Sequence, residues 1–360
     1  MEKAHIITYS VIAPEGGSLM TKKLYFIGLD IASADFAASI YQSPEQPVTT
    51  KDGFANTFDG FIMFSSWLES QKVNPANSVI CMEATGVYSE GVAHFLVTQG
   101  FKVSVEPPLK VKRAFDPIGH KTDPVDSKQI AEYAYRFIDE LRFWQPRDEI
   151  IEKIRHLLTA RELYTKQSVA IQNALRAYKR HLVQVSLIND AHGQILKELK
   201  KHIAEIDKEL DQLIRKNPTI SQINNQLKSL PGFGLLLSSS LIALTGAFNE
   251  ITTYKTLAAF LGICPYQHQS GSSVYRQPHI RHFGPAYARK LLTLAARSVV
   301  THNEVFRKYY LRKLAEGKAK ELVLNNVANK LIKIACAVIK NNSRYASTYR
   351  SVNPMCLISA

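Results

Sequence analysis

Cysteine is scarce and scattered. The four residues Cys81, Cys264, Cys336 and Cys356 form no CxxC or Cys/His ligand spacing in a chain of 360 residues, so neither a zinc site nor a disulfide framework is expected. A reducing cytoplasm suits such a chain. Uncharged apolar runs are short as well. The longest, Leu235 to Phe248, is broken by Ser238, Ser239, Ser240 and Thr245 and falls below the roughly 18 residues of a membrane span. The first 19 residues lack the basic start and apolar run of a secretion signal. With Pro14, Gly16 and Gly17 ahead of Met20, residues 1–19 read as a loose extension. Negative charge is in deficit too: 31 acidic residues face 45 Lys and Arg, for a formal charge of +14.

That imbalance points to a polyanion, because clustered cations gain affinity by displacing counterions from phosphates. Between Arg276 and Arg350 the only acids are Glu304, Glu316 and Glu321, set among many lysines and arginines. A solvated helix face normally mixes signs. Hydrophobic residues make up 46% of the chain, enough to fill ordinary cores.

Along the chain, Leu24 to Ile31 and Phe36 to Tyr41 are apolar runs of strand length separated by Ala32-Ser33-Ala34, which predicts a hairpin of core strands. An aromatic-rich helix around Phe58 to Leu68, a strand from Ser78 to Met82, a helix from about Tyr88 to Gln99 and a strand from Lys102 to Val105 follow. Paired strands that give way to alternating strands and helices predict an α/β sheet, largely parallel beyond the hairpin. Asp123-Pro124 opens a further helix, with proline where its missing N–H matters least. From Glu149 to Asn217 the pattern is helical, and Leu196, Leu199, Ile203, Ile206, Leu210 and Leu213 trace a heptad seam. The seam fits a coiled coil that makes a dimer, or a helical hairpin packing on its own chain. Beyond Pro218, Leu230-Pro231-Gly232-Phe233-Gly234 resembles the turn of a helix-hairpin-helix element, whose glycines bring backbone N–H groups close to a phosphate; a plain tight turn is the alternative.

Asp30 lies inside an apolar strand and Glu83 ends another. Each is costly to desolvate unless paired or bound to a metal. Acids at the carboxyl ends of neighbouring parallel strands converge on one rim. Asp123 and Asp126, one helical turn apart, present both carboxylates on one face; taken alone, they would equally serve as an N-cap and a complement to the helix dipole. Four oxygen ligands suit Mg²⁺ or Mn²⁺ and phosphodiester chemistry. Gly28-Leu29-Asp30-Ile31-Ala32-Ser33 also resembles the first phosphate loop of actin-like sugar kinases, but no later Asp-x-Gly loop follows.

Taken together, Tyr25-Phe-Ile-Gly-Leu-Asp30, Met82-Glu83-Ala84-Thr85-Gly86, Lys121-Thr122-Asp123-Pro124-Val125-Asp126, Leu230-Pro231-Gly232-Phe233-Gly234, Leu257-Ala-Ala-Phe-Leu-Gly262, Pro265 and Gln269-Ser270-Gly271-Ser272-Ser273 resemble the DEDD transposases of the insertion-sequence one-ten family, relatives of the Piv-type DNA invertases. The resemblance runs from about Met20 to the C-terminal helices. It implies a ribonuclease-H-like, RuvC-like α/β domain over 20–148 with Asp30, Glu83, Asp123 and Asp126 as ligands for Mg²⁺ or Mn²⁺. A helical coiled-coil segment over 149–217 is expected next, then a mainly α transposase domain over 218–345 with the helix-hairpin-helix-like element, and a tail over 346–360. The resemblance also implies a serine nucleophile, Ser270, which a Ser/Gly loop by itself would not have suggested.

The expected activity is transposition or site-specific recombination of a bacterial mobile element through a phosphoserine intermediate. The expected partners are double-stranded DNA, an element-encoded guide (bridge) RNA implied by the resemblance alone, and further copies of the chain, as a homodimer assembling to a tetramer. Nucleic-acid contacts are expected at Lys112, Arg113, Lys121, Gly232, Gly234, Arg276, Arg281, Arg289 and Lys290, in a cytoplasmic protein associated with the nucleoid. Two other readings stay open: a metal-dependent nuclease or Holliday-junction resolvase that uses water, and an inactive nucleic-acid-binding remnant.

Overall fold

The two apolar runs flanking Ala32-Ser33-Ala34 become β1 (Tyr25–Ile31) and β2 (Asp35–Tyr41), paired antiparallel with Leu29 opposite Ala38 and Asp30 opposite Ala37. They belong to a computed structural model that describes residues 24–115, 122–270, 274–280 and 284–346, with the backbone alone within 266–283. The chain divides into two units, Met1–Pro146 and Arg147–Ala360.

In the first unit β3 (Thr49–Ala55) pairs antiparallel with β2. It is an edge strand with Phe54 as its only buried side chain. α1 (Phe58–Ser70) starts at Thr57, whose hydroxyl caps Gly60 N. Then come β4 (Ser78–Glu83), α2 (Val87–Thr98), β5 (Lys102–Glu106), the short α3 (Pro108–Lys112) and α4 (Asp123–Arg136). The sheet order is β3-β2-β1-β4-β5, with β4 parallel to β1 and β5 parallel to β4. Side chains alternate between its two faces. Ile27, Leu29, Ile31, Ile80 and Met82 pack with Phe61, Phe64 and Leu68 of α1 and Val92 and Leu96 of α2. Phe26, Val79 and Cys81 meet Ile130, Ala131, Tyr133 and Ala134 of α4 on the opposite face. A mixed five-stranded sheet between helices is compatible with a ribonuclease-H-like domain.

The second unit begins with two long helices, α5 (Glu149–Tyr178) and α6 (Ser186–Lys216), packed against each other as a hairpin. Arg161 Nε and Nη2 reach Asp207 at 2.5 and 3.1 Å across it. Ile151, Ile154, Leu158, Leu210 and Ile214, at the base of the hairpin, are buried in the same core as the helices that follow. Toward the tip, Leu196, Leu199, Ile203 and Ile206 are half-buried.

The remaining elements are α7 (Pro218–Lys228), α8 (Leu235–Thr245), α9 (Tyr254–Phe260), a β6 (Pro265–Ser270) and β7 (Val274–Ile280) hairpin, α10 (Ala286–His302), α11 (Glu304–Ala315) and α12 (Lys320–Lys340). Among the described residues, α12 is the one helix long and apolar enough by length and composition to cross a membrane. Half of that apolar window is buried: Val327, Leu331, Ile332 and Ala335 are fully buried in the core of the unit.

Candidate active site

Asp30 and Glu83 are placed by strand register. Leu29 pairs with Met82 across β1 and β4, so the next step of the parallel ladder sets Asp30 beside Glu83. Gly28 and Cys81, two residues earlier, face α4, and the two-residue period of a strand turns both carboxylates to that same side. Small residues let the helix come close: a Cβ on Gly28 would stand 2.1 Å from Ser127 O and 2.2 Å from Ala131 N. Ser127 Oγ also meets Ser39 Oγ of β2 at 2.8 Å. The first turn of α4 precedes Ser127, and it carries Asp123 and Asp126. The fold therefore gathers the two strand acids and the two helix acids at one end of the sheet. Asp30, Glu83 and Asp126 are half-buried there, while Asp123 is exposed.

Thr122 occupies the N-cap of α4, and its carbonyl accepts Val125 N and Asp126 N. Asp123 thus lies inside the first turn, and capping does not explain it. The donor set is all oxygen and suits a hard divalent cation. Among the described residues, however, no three His, Cys, Asp or Glu side chains stand close enough to share one ion. The fit is one of donor type and common rim.

A fifth carboxylate belongs to this row. β4 and β5 pair Glu83 with Glu106, which makes Asp30, Glu83 and Glu106 neighbours across three strands spaced about 4.8 Å apart. Glu106 is 5% exposed. It accepts Ser104 Oγ at 2.9 Å and pairs with Lys110 Nζ at 3.2 Å. The ammonium of Lys110 lies 5.7 Å from the centroid of the Tyr133 ring in α4. The Tyr133 hydroxyl has no partner of good hydrogen-bond geometry; its proximity first, and the Glu106 carboxylate with it, hold the Lys110 ammonium charged above the ordinary lysine range. Burial pushes the Cys81 thiol up, and Glu106 and Glu83 add to the effect, which keeps this cysteine protonated beneath the site. The signals for Glu106 are its place after an apolar strand and the i,i+4 spacing to Lys110; the sequence pattern alone ends that strand at Val105.

The remaining expected residues are spread over both units. Lys112 and Arg113 are exposed at the end of α3. Lys121 and Arg281 lie outside the described residues. Ser270 is the last residue of β6, paired with Val274 of β7 at the tip of their hairpin, and Arg276 pairs with His268 in the same ladder. Gly232, with φ of +80°, lies in the turn between α7 and α8. A Cβ there would come within 2.8 Å of Val299 Cγ1 and 3.0 Å of Ala295 O in α10, whereas one on Gly234 would meet nothing. Gly232 is accounted for by close packing. Arg289 Nη1 donates to Leu261 O at 3.1 Å, and Lys290 is exposed.

Residues 27–187 match the family model for the DEDD transposase of IS110 type, described as a transposase, and residues 224–311 match the transposase IS116/IS110/IS902 family. The chain belongs to the IS110 transposase family. Its relatives include the pilin gene-inverting protein of Moraxella lacunata, 28% identical over 321 residues that cover 88% of this chain and 96% of the relative. A transposase for insertion sequence element IS1111A from Coxiella burnetii is 25% identical over 295 residues, 74% of this chain and 79% of that one. This IS110-family chain is accordingly a DNA transposase or recombinase, and its DEDD domain suggests dependence on a divalent metal.

Proposed function

We propose that this transposase cuts and rejoins DNA through a phosphoserine on Ser270, with Asp30, Glu83, Asp123 and Asp126 holding a divalent cation, Mg²⁺ or Mn²⁺. The observation that carries the reading is the gathering of those four carboxylates at one end of the sheet, where the register of β1 and β4 meets the first turn of α4. A bound divalent cation supplies Lewis acidity to the scissile phosphate. Ser270 Oγ forms a bond to phosphorus as the bond to the leaving sugar oxygen breaks, and the serine proton ends on that oxygen. Attack by an incoming sugar hydroxyl reverses the sequence, returns the proton to Ser270 and joins the new strand without ATP. Ser270 lies in the second unit and the carboxylates in the first, and the complete site is proposed to form between copies of the chain, in a homodimer assembling to a tetramer. An element-encoded bridge RNA would delegate sequence choice to base pairing and leave the protein to hold backbone and shape. The setting proposed is the bacterial cytoplasm.

The test is incubation with element-end DNA, guide RNA and Mg²⁺, followed by denaturation and a search for DNA covalently attached to protein. An adduct lost in Ser270→Ala and in Asp30→Asn is expected. Cleavage that survives Ser270→Ala would instead make the protein a water-using nuclease or junction resolvase. Binding with neither adduct nor cleavage would make it an inactive remnant.

A further inference from the structure

Away from both parts of that site, α10, α11 and the start of α12 enclose a groove of about 560 Å³ in the second unit. Its charged lining is Arg297, Arg307 and Lys320 against the single carboxylate Glu321. The other nearby acids are already committed: Glu304 pairs with Lys308 at 2.7 Å, and Glu316 with Lys313 at 2.6 Å and Arg312 at 3.9 Å. None of the three groove cations makes an ion pair with a described carboxylate, and all three are exposed. Three cations left around one cavity attract a ligand of opposite charge.

The rest of the lining is apolar and aromatic. Val300, Leu311 and Leu324 form a wall, and Tyr310 stands among them half-buried. The neighbouring Tyr309 ring is taken, with Lys330 Nζ at 4.4 Å and the Arg312 guanidinium at 5.8 Å from its centroid. Among the described residues no ring or cation occupies the face of Tyr310. Cations at the rim with a free aromatic ring inside match a nucleotide, phosphates outward and base inward. The cavity falls within the range of about 300–1,000 Å³ that holds a ligand of that size and is far too small for a duplex to enter.

We propose that this groove binds an unpaired nucleotide of DNA, with the base stacked on Tyr310 and the flanking phosphates held by Arg297, Arg307 and Lys320. Strand exchange on DNA must pass through unpaired segments, and a pocket of this kind holds one open. The proposal rests on DNA as the substrate and on no part of the serine chemistry, so it stands or falls in a binding measurement that involves no cleavage.

The full chain is titrated into labelled oligodeoxythymidylate, a duplex of equal length and oligouridylate, with anisotropy as the readout. Tyr310→Ala is expected to weaken single-stranded DNA by about tenfold, to leave duplex affinity and the salt dependence unchanged, and to be rescued by Tyr310→Phe. Arg307→Gln with Lys320→Gln should weaken single-stranded DNA and lower its log–log salt slope by about 1.4, at about 0.7 for each phosphate no longer neutralised. Photocrosslinking of 5-iododeoxyuridine DNA should map to α11. Unchanged melting temperatures exclude misfolding. Equal loss for single strand and duplex in Tyr310→Ala, no loss in any variant, a Tyr310 effect confined to RNA, or crosslinks that avoid α11 would each overturn the proposal.

Discussion

A methyl group on Gly28 would stand 2.1 Å from the Ser127 carbonyl oxygen and 2.2 Å from Ala131 N. Both of these atoms are backbone, so no rotamer change relieves the clash and α4 must move off β1. Gly28→Ala is therefore expected to cost about 3 kcal/mol, the upper end for overpacking, in urea denaturation, and, on the metal role proposed for Asp123 and Asp126, to weaken Mn²⁺ binding because both move with α4. A variant of wild-type stability would show that α4 is held less closely than the geometry says. Glu106 and Lys110 give a second residue-level expectation. Lys110→Met strands a carboxylate that is 5% exposed. The cost should fall to about 1–3 kcal/mol, below that of a fully buried pair, because the Lys110 side chain is 39% exposed and water screens it. Glu106→Gln in the same background should recover most of the loss. The pKa of Lys110 is raised on folding, so its contribution is complete below the unfolded lysine value and is lost as pH climbs through the folded one. The stability gap between wild type and Lys110→Met should stay constant near neutrality and close in the alkaline range; a gap that widened there would contradict the assignment. Asp30 and Glu83 were legible in the sequence because each is a lone acid in or ending an apolar run. Glu106 was not, since Pro107-Pro108 truncated the strand pattern and its partner is supplied by the fold around it.

Among the elements, legibility followed burial. β1, β2 and β4 carry apolar runs because both of their faces are covered, and they were readable; β5 showed through the alternation of Val103 and Val105. β3 has the sequence Thr49 to Ala55 with Lys51, Asp52 and Gly53 in its middle and Phe54 alone buried, the composition of a guarded edge that looks like a loop until a neighbour supplies its hydrogen bonds. The heptad seam of α6 was equally readable as a pattern, but a hairpin within one chain and a seam between two chains have the same period. Burial along it grades from Leu210, fully buried in the core of the second unit, to half-buried Leu196. Leu210→Ala should cost about 2–5 kcal/mol and Leu196→Ala much less, since the penalty follows the packing removed and the cavity left behind; equal costs would mean the tip is covered by something other than α5. The turn between α7 and α8 separates its two readings in the same way. Gly232→Ala forces a side chain at φ +80° against Val299, and a stability loss of about 1–3 kcal/mol is expected by thermal denaturation. Weakened DNA binding with no loss of stability would favour the phosphate-cradle reading of that glycine instead.

At the scale of the molecule, the carboxylates fold into Met1–Pro146 and Ser270 into Arg147–Ala360, and the two are joined by one crossing of the chain. The proposed phosphoserine site draws on both units; it is either completed within one copy or between two, and mixing experiments separate these cases by counting. Asp30→Asn keeps the serine, Ser270→Ala keeps the carboxylates, and each alone should form no DNA adduct. In an equal, fully exchanged mixture of a symmetric dimer, half of the dimers are mixed. If the site forms between copies, one of the two sites in each mixed dimer unites intact carboxylates with an intact serine, so about a quarter of all sites regain adduct formation. If the site forms within a copy, every site carries one of the two lesions and no adduct appears at any ratio. Adduct formation is the proper readout, because complete recombination requires several sites to act together and would hide a partial recovery. Recovery near a quarter that vanishes when exchange between copies is prevented would establish the shared site; no recovery, with both variants melting like the wild type and exchange confirmed, would place Ser270 against the carboxylates of its own chain.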